Sequence, residues 1–491
     1  MHLKLYRLLE RIHYTLVNGS LDRYITAIEH KSQDVKEGAV FVCICGNKSD
    51  GHDYVYKAIE KGACTIVAER EIKVPDEVTL ILVNNTRLAL AYMAAAFYDY
   101  PAERLVTIGI TGTKGKTTTS YMIKEILENA GISTGLIGTI EILIGSQSIQ
   151  AGNTTPDALE IHRYLRQMVD EGITTVVMEV SSQGLMLHRT ASITFDYGIF
   201  TNISPDHIGP GEHKDYDEYV ACKSLLMKQC HIGIVNRDAS DIDRIIKGHT
   251  CKLKTYGLSQ NANLYAYGLS LVQKPSQLGI QFYVGGLMNT TMEIWMPGMF
   301  NIYNALAAIM IAMHFHIPEE KIKEALCRIK VKGRLELVPV SPDYTVMIDY
   351  AHNAVSLESV LKTLRSYNPS RILCLFGCGG NRAKIRRYEM AKAAARFADE
   401  IIVTSDNPRD ESMEEIIHDI TSTLDLVGVP YVAIPDRVEA ISYAIEIAKK
   451  GDIILLAGKG HENYQEIKGV HYPMDERTIL YHIKKQYLLN E

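Results

Sequence analysis

Short apolar runs bounded by glycine and polar turns recur along the chain, with stretches of helical spacing between them. Residues 41–45 predict a strand closed by the polar turn 46–51, then a helix from about residue 53 and a second strand at 64–69. The stretch 85–100 reads as a helix ending at Pro101, because proline disfavours helical backbone in the residue before it. A new α/β pattern starts at Leu105: a strand, a glycine turn and a long helix from Lys116, then strands at 174–180, 196–203 and 231–236. Between 259 and 296 the pattern alternates with glycine turns and predicts β-structure. Helical content then runs from 301 to about Ile329, with a hinge at Lys332-Gly333. Strands at 345–350, 371–377, 400–406 and 452–458, spaced by helices, predict a parallel, doubly wound sheet. Such sheets bind ligands at the carboxyl ends of their strands, where Asp349, Gly377, Asp406 and Gly458 fall.

At 491 residues the chain exceeds a single core and predicts three domains, 1–100, 101–331 and 332–491. The 46% hydrophobic and 22% charged content suits a soluble globular protein. A net charge of -6 gives no basic footprint and argues against nucleic-acid binding. No apolar run reaches the length of a membrane span, and the charged N-terminal stretch does not read as a signal peptide. The nine cysteines lack zinc-type spacing and read as reduced thiols of a cytoplasmic protein.

The strongest chemical signal is Gly109-Ile110-Thr111-Gly112-Thr113-Lys114-Gly115-Lys116-Thr117-Thr118, set between a predicted strand and helix as a phosphate-binding loop requires. Its glycines let main-chain N–H groups curl around phosphate, Lys116 reaches the outer phosphates, and the Thr117 hydroxyl faces Mg²⁺. The strict pattern places glycine where Ile110 stands. Glu179 closes an apolar strand, where an acid has no packing role, and is a candidate Mg²⁺ ligand. His207, after another strand end, is a candidate for a second metal.

Other motifs follow in order: Asn153-Thr154-Thr155-Pro156, Glu179-Val180-Ser181-Ser182, Thr201-Asn202 with Asp206-His207, and Pro297-Gly298 with Asn301 and Asn304. Gly333-Arg334, Asp349-Tyr350-Ala351-His352, Asp406-Asn407-Pro408-Arg409 and Gly458-Lys459-Gly460-His461-Glu462 complete the series. Along essentially its whole length the chain resembles the Mur ligases of bacterial cell-wall synthesis.

That resemblance implies a three-domain α/β architecture: an N-terminal UDP-substrate-binding domain, a central P-loop ATPase domain and a C-terminal Rossmann-like domain. It implies ATP- and Mg²⁺-dependent amide formation through an acyl phosphate by a monomer acting on small molecules. Gly112, Thr113, Lys114, Gly115, Lys116, Thr117 and Thr118 would bind ATP, with Asn304, Arg334, Asp349 and His352 closing on the nucleotide. Lys223 matches the lysine that the family carries as a carbamate. Ser32, Thr154, Thr155, Ser181 and Arg189 match contacts to a UDP-muramoyl-dipeptide. Arg382, Asp406, Asn407, Arg409, Gly458 and Glu462 match an amino-acid site of the type that takes meso-diaminopimelate. The chemistry agrees, since Arg409 offers a planar fork to the second carboxylate of that amino acid and Glu462 receives its distal ammonium.

The chain departs from the family pattern at Lys31, Gln33, Gln183, Leu187, Asn353 and Asn381. The rival reading is therefore the same chemistry with L-lysine, another amino acid or an unusual acceptor. A P-loop kinase or nucleotide switch is more distant, because it needs Lys116 and Glu179 but neither Arg409 nor Glu462.

Overall fold

The computed structural model describes residues 3–46, 49–209, 212–274 and 277–490, with the backbone alone at 486–490. Asn47 and Lys48 of the predicted polar turn lie outside the described residues. The chain forms two compact units, Met1–Tyr265 with Leu306–Lys321, and Ala266–Ala305 with Ile322–Glu491.

The first unit holds two large sheets. The N-terminal one runs in the order Thr15–Asn18, Thr79–Leu82, Ala63–Ala68, Ala39–Val42, Ile28–Glu29. Its outer Thr15–Asn18 pairing is antiparallel and the others are parallel. The helix read at 85–100 spans Thr86–Phe97 and is capped by the Asn85 side chain, which accepts from the Leu88 N–H. It stops before Pro101 because Asp99 and Tyr100 turn left-handed, and proline instead opens a short 3₁₀ turn, Pro101–Arg104.

In the other sheet, strand Val106–Thr111 lies between Thr175–Glu179 and Phe195–Phe200, parallel to both. Thr134–Ile137 continues it on one side, Cys230–Asn236 and Lys252–Gly257 on the other. A hairpin, Glu141–Ile144 with Gln147–Gln150, extends the Thr134 edge. Glu179 pairs in register with Ile110, which sets its carboxylate beside the turn that follows Thr111.

In the second unit the sheet order is Glu336–Val338, Thr345–Asp349, Ile453–Ala457, Ile372–Phe376, Glu400–Val403, Val432–Ala433. Only the Glu336–Val338 edge is antiparallel. Strand alternation divides the side chains between two cores. Ile372, Cys374 and Phe376 pack with Leu361, Met390 and Ile420, whereas Leu373 and Leu375 pack with Ile441, Ile445 and Leu480. Helices therefore cover both faces and leave the strand ends open for chemistry. Gly333, expected as a hinge, has φ +65, and a side chain there would strike the backbone of Gly460 and His461. Among the described residues no helix is long and apolar enough to cross a membrane.

Candidate active site

The structure groups the predicted site residues into two sets, one in each unit. In the first unit, residues 112–115 form the turn between strand Val106–Thr111 and helix Lys116–Asn129. Gly112 has φ +152 and a Cβ on it would run into the Thr201 hydroxyl, so only glycine fits. Thr201 and Asn202 brace the loop. The Thr201 hydroxyl donates to the Lys114 carbonyl at 2.7 Å, and Asn202 Oδ1 accepts from the Lys114 N–H at 3.0 Å. Lys116 Nζ donates to the carbonyls of Gly112 and Thr113 at 2.8 and 3.1 Å.

Lys223, on helix Tyr216–Ser224, is 2% exposed and donates to the same Gly112 carbonyl at 2.8 Å. Burial, followed by the positive charge of Lys116, lowers its pKa well below the ordinary lysine value. The amine therefore loses its proton far more readily than a surface lysine. Its neighbour Tyr219 presents a ring 4.6 Å from the amine and a hydroxyl 3.0 Å from Thr113 Oγ1.

Glu179 is fully buried and held from several segments. The Thr117 hydroxyl donates to Oε2 at 3.0 Å, Thr139 N–H to Oε1 at 2.9 Å and the Thr139 hydroxyl to Oε2 at 2.9 Å. A Cβ on Gly138 would lie 2.5 Å from Oε1, so glycine there lets the backbone close on the acid. A hydroxyl from a helix start and a carboxylate from a strand end are the oxygen donors that Mg²⁺ takes from proteins, few in number and completed by water and phosphate. Thr117 and Glu179 fit that ion. His207 is instead exposed, has φ +55 and places Nδ1 3.1 Å from Glu212 Oε1. Among the described residues no group of three or more His, Cys, Asp or Glu side chains is gathered for a metal.

Thr154 reaches this acid through Thr139, their hydroxyls 3.0 Å apart. Thr155 donates its hydroxyl to the Glu179 carbonyl at 2.9 Å and accepts from the Ser181 N–H at 2.9 Å. Ser181 caps the short helix Ser182–Met186, and Arg189 donates to the Thr155 carbonyl at 2.6 Å. Four of the five expected acceptor contacts thus gather around one strand end, with the half-buried Gln183 and Leu187 in the adjoining segment. Ser32 lies apart in sequence, half-buried after strand Ile28–Glu29.

In the second unit, Asn304 donates to Asn301 Oδ1 at 2.9 Å, and Asn301 donates to the Pro297 carbonyl at 2.8 Å. The Arg334 guanidinium lies 4.9 Å over the Tyr350 ring. Asp349 accepts from the N–H groups of Leu335 and Ala351, both at 2.8 Å, and His352 Nδ1 lies 2.8 Å from the Tyr350 carbonyl.

The expected amino-acid residues cluster at neighbouring strand ends. Asp406 Oδ1 accepts from the Asn407 N–H at 2.6 Å, and a Cβ on Gly458 would lie 2.6 Å from its Oδ2. Arg409, at φ +52, donates through Nε to Glu466 Oε2 at 2.9 Å and through Nη1 to the Gly380 carbonyl at 2.8 Å. Glu462 accepts from Lys459 Nζ at 2.7 Å and Asn407 Nδ2 at 2.8 Å. Arg382 is exposed in the turn 381–384 that leads into helix Ile385–Phe397. Beneath the strand ends, the buried Arg437 donates to the carbonyls of Ser405 and Ala457, each at 2.9 Å, and pairs with the buried Glu476.

Thr139, Lys459, Glu466, Arg437 and Glu476 escaped the sequence reading. Lys459 at least had a signal, a lysine inside the Gly458–Glu462 motif directly after an apolar strand.

Three family models match the chain: the Mur ligase family catalytic domain over residues 24–98, the Mur ligase middle domain over 110–312 and the Mur ligase glutamate ligase domain over 333–460. A UDP-N-acetylmuramoyl-L-alanyl-D-glutamate--2,6-diaminopimelate ligase of Clostridium perfringens is 38% identical over 97% of this chain and 98% of its own. One of the same name from Caldanaerobacter subterraneus is 41% identical over 94% and 95%. A solved structure of that name superposes with a TM-score of 0.73 at 27% identity, covering 99% of this chain and 100% of that one. The loop, the strand-end acid and these full-length matches agree: the chain belongs to the Mur ligase family and is a ligase built on its three-domain α/β architecture.

Proposed function

We propose that this ligase joins meso-diaminopimelate to UDP-N-acetylmuramoyl-L-alanyl-D-glutamate at the expense of ATP, a step in making peptidoglycan precursor. The observation that carries the reading is the Asn407 junction, which ties Glu462 to the loop bearing Arg409. An ammonium and a carboxylate on one substrate end would meet, respectively, an acid and a guanidinium fork. The relatives from Clostridium perfringens and Caldanaerobacter subterraneus carry that activity in their names.

A carboxylate is a poor electrophile, and taking the γ-phosphoryl group of ATP turns it into an acyl phosphate. The amine of the incoming amino acid then attacks the acyl carbon, and phosphate leaves alongside ADP. Little covalent chemistry falls to protein groups, so positioning and charge neutralisation dominate. N–H groups of residues 112–118 cradle the phosphates and Lys116 meets their charge. Asn304, Arg334, Asp349 and His352 contact the nucleotide. Thr117 and Glu179 would hold Mg²⁺, with His207 for a second ion, and the metal would neutralise phosphate charge. Lys223, as a carbamate, becomes an anion able to face that metal.

Ser32, Thr154, Thr155, Ser181 and Arg189 hold the UDP substrate, and Arg382 the carboxylate at the reacting end of the amino acid. Asp406, Asn407 and Gly458 shape the pocket whose far end is read by Arg409 and Glu462. The working domain limits are 1–100, 101–331 and 332–491, in a cytoplasmic monomer.

Phosphate release with each substrate omitted in turn tests the reading. Release should need ATP, acceptor and amino acid together, and the product mass should equal that of the tripeptide. Release indifferent to either co-substrate overturns it.

A further inference from the structure

Four charged side chains meet around Asn407. Arg409 Nε donates to Glu466 at 2.9 Å, and Lys459 Nζ donates to Glu462 at 2.7 Å. Asn407 joins the two pairs. Its Oδ1 accepts from Lys459 Nζ at 2.7 Å and from the Glu466 N–H at 2.9 Å, while its Nδ2 donates to Glu462 at 2.8 Å. The side chains of Glu462, Arg409 and Glu466 are 15%, 24% and 25% exposed, but Lys459 is entirely buried. An ammonium leaves water completely only where counter-charge and acceptors meet it. Lys459 is therefore fixed, and it fixes Glu462 and Asn407 in turn.

Glu466 acts on Arg409 from the opposite side. It stands on the hairpin formed by Tyr464–Ile467 and Val470–Pro473, and its carbonyl accepts from the Arg409 N–H at 3.1 Å. Side chain and backbone of the hairpin thus set the direction of the guanidinium.

The four groups carry two positive and two negative charges. A diamino dicarboxylic acid is likewise neutral, with one ammonium and one carboxylate at each end. Lysine lacks the far carboxylate and carries a net positive charge. Resting on the reading above, we propose that Lys459 and Glu466 are positioning residues that set amino-acid selectivity. Each supplies the internal counter-charge of a substrate-facing group, Glu462 or Arg409. The far end of the pocket is then neutral and takes a doubly zwitterionic amino acid in preference to a cationic one.

The test compares kcat/KM for meso-diaminopimelate and L-lysine in the full-length enzyme and in K459M, E466Q and the double variant. K459M leaves Glu462 uncompensated, and the preference for diaminopimelate should fall about tenfold. E466Q leaves Arg409 uncompensated, and the preference should rise by about as much. The double variant is neutral again and should return to within about threefold of the parent. A purely structural role predicts no opposite shifts and no restoration. Unchanged preference in both single variants, or shifts in one direction, overturns the proposal. If K459M loses its cooperative unfolding transition, E466Q decides alone: a rise supports the proposal and no change overturns it. A parent enzyme that uses neither amino acid removes the underlying reading, and this inference with it.

Discussion

Lys116 and Lys223 converge on one acceptor, each donating its ammonium to the Gly112 carbonyl at 2.8 Å. Burial, and then the like charge of Lys116, push the pKa of Lys223 well down.

In the unfolded chain Lys223 stays protonated up to its ordinary value of 10.5, while in the folded protein it releases its proton earlier. Folding therefore carries a cost that is largest in acid and shrinks as pH rises towards that ordinary value. Lys223→Met should raise the melting temperature more at about pH 6 than at about pH 9. The same change should lower ligase activity about a hundredfold or more, since it removes the amine that would capture CO₂. Calorimetry at both pH values, with phosphate release alongside, checks both statements.

The Glu179 carboxylate owes its aim to Thr139 as much as to Thr117. Thr139→Val keeps the N–H bond to Oε1 but deletes the hydroxyl donor on Oε2. Activity should fall about tenfold with the fold intact, whereas Glu179→Gln should cost about a hundredfold or more. Steady-state phosphate release at saturating substrates distinguishes the two, and equal losses would contradict the ordering.

Arg409→Asn tests the proposed specificity role of this arginine. Asparagine tolerates the left-handed backbone that Arg409 adopts at φ +52, so the loop survives. Loss of the fork should reduce kcat/KM for meso-diaminopimelate about a hundredfold without lowering that for L-lysine. Equal effects on both would remove Arg409 from the specificity role.

The Arg437–Glu476 pair joins stability to site geometry. Both side chains are buried, and the arginine ties the carbonyls of Ser405 and Ala457 just ahead of Asp406 and Gly458. Arg437→Met strands a buried acid and should cost about 3 kcal/mol, with KM for the amino acid raised. Replacing both partners with apolar residues should recover most of the stability but not the KM, which denaturant titration and kinetics together would show.

The parts legible in the sequence share a cause: each sits where local pattern dictates structure. The phosphate loop was readable because only glycine satisfies its backbone and a strand and helix flank it. Glu179 was readable because an acid ending an apolar strand lacks a packing role. Four strands of the second unit's six-stranded sheet were readable from their apolar runs, and they run at 345–349, 372–376, 400–403 and 453–457. Thr139 was not readable, since it stands on a loop and meets Glu179 across 40 residues. Glu466 was hidden for the same reason, 57 residues from Arg409 on a hairpin with no strong turn signal. The burial of Lys459 was also invisible, because no pattern of neighbours announces that an ammonium will be met by two acceptors.

The guanidinium of Arg409 is engaged by a glutamate from a separate hairpin and by a peptide carbonyl. On the proposed reading, altering one codon here shifts the choice of diamino acid but leaves a charged partner unmatched. Exchanging the arginine alone would orphan an anion, and exchanging the glutamate alone would unseat a cation. Diet at this enzyme is thus inherited as a linked set, and an isolated substitution here passes through a handicapped intermediate.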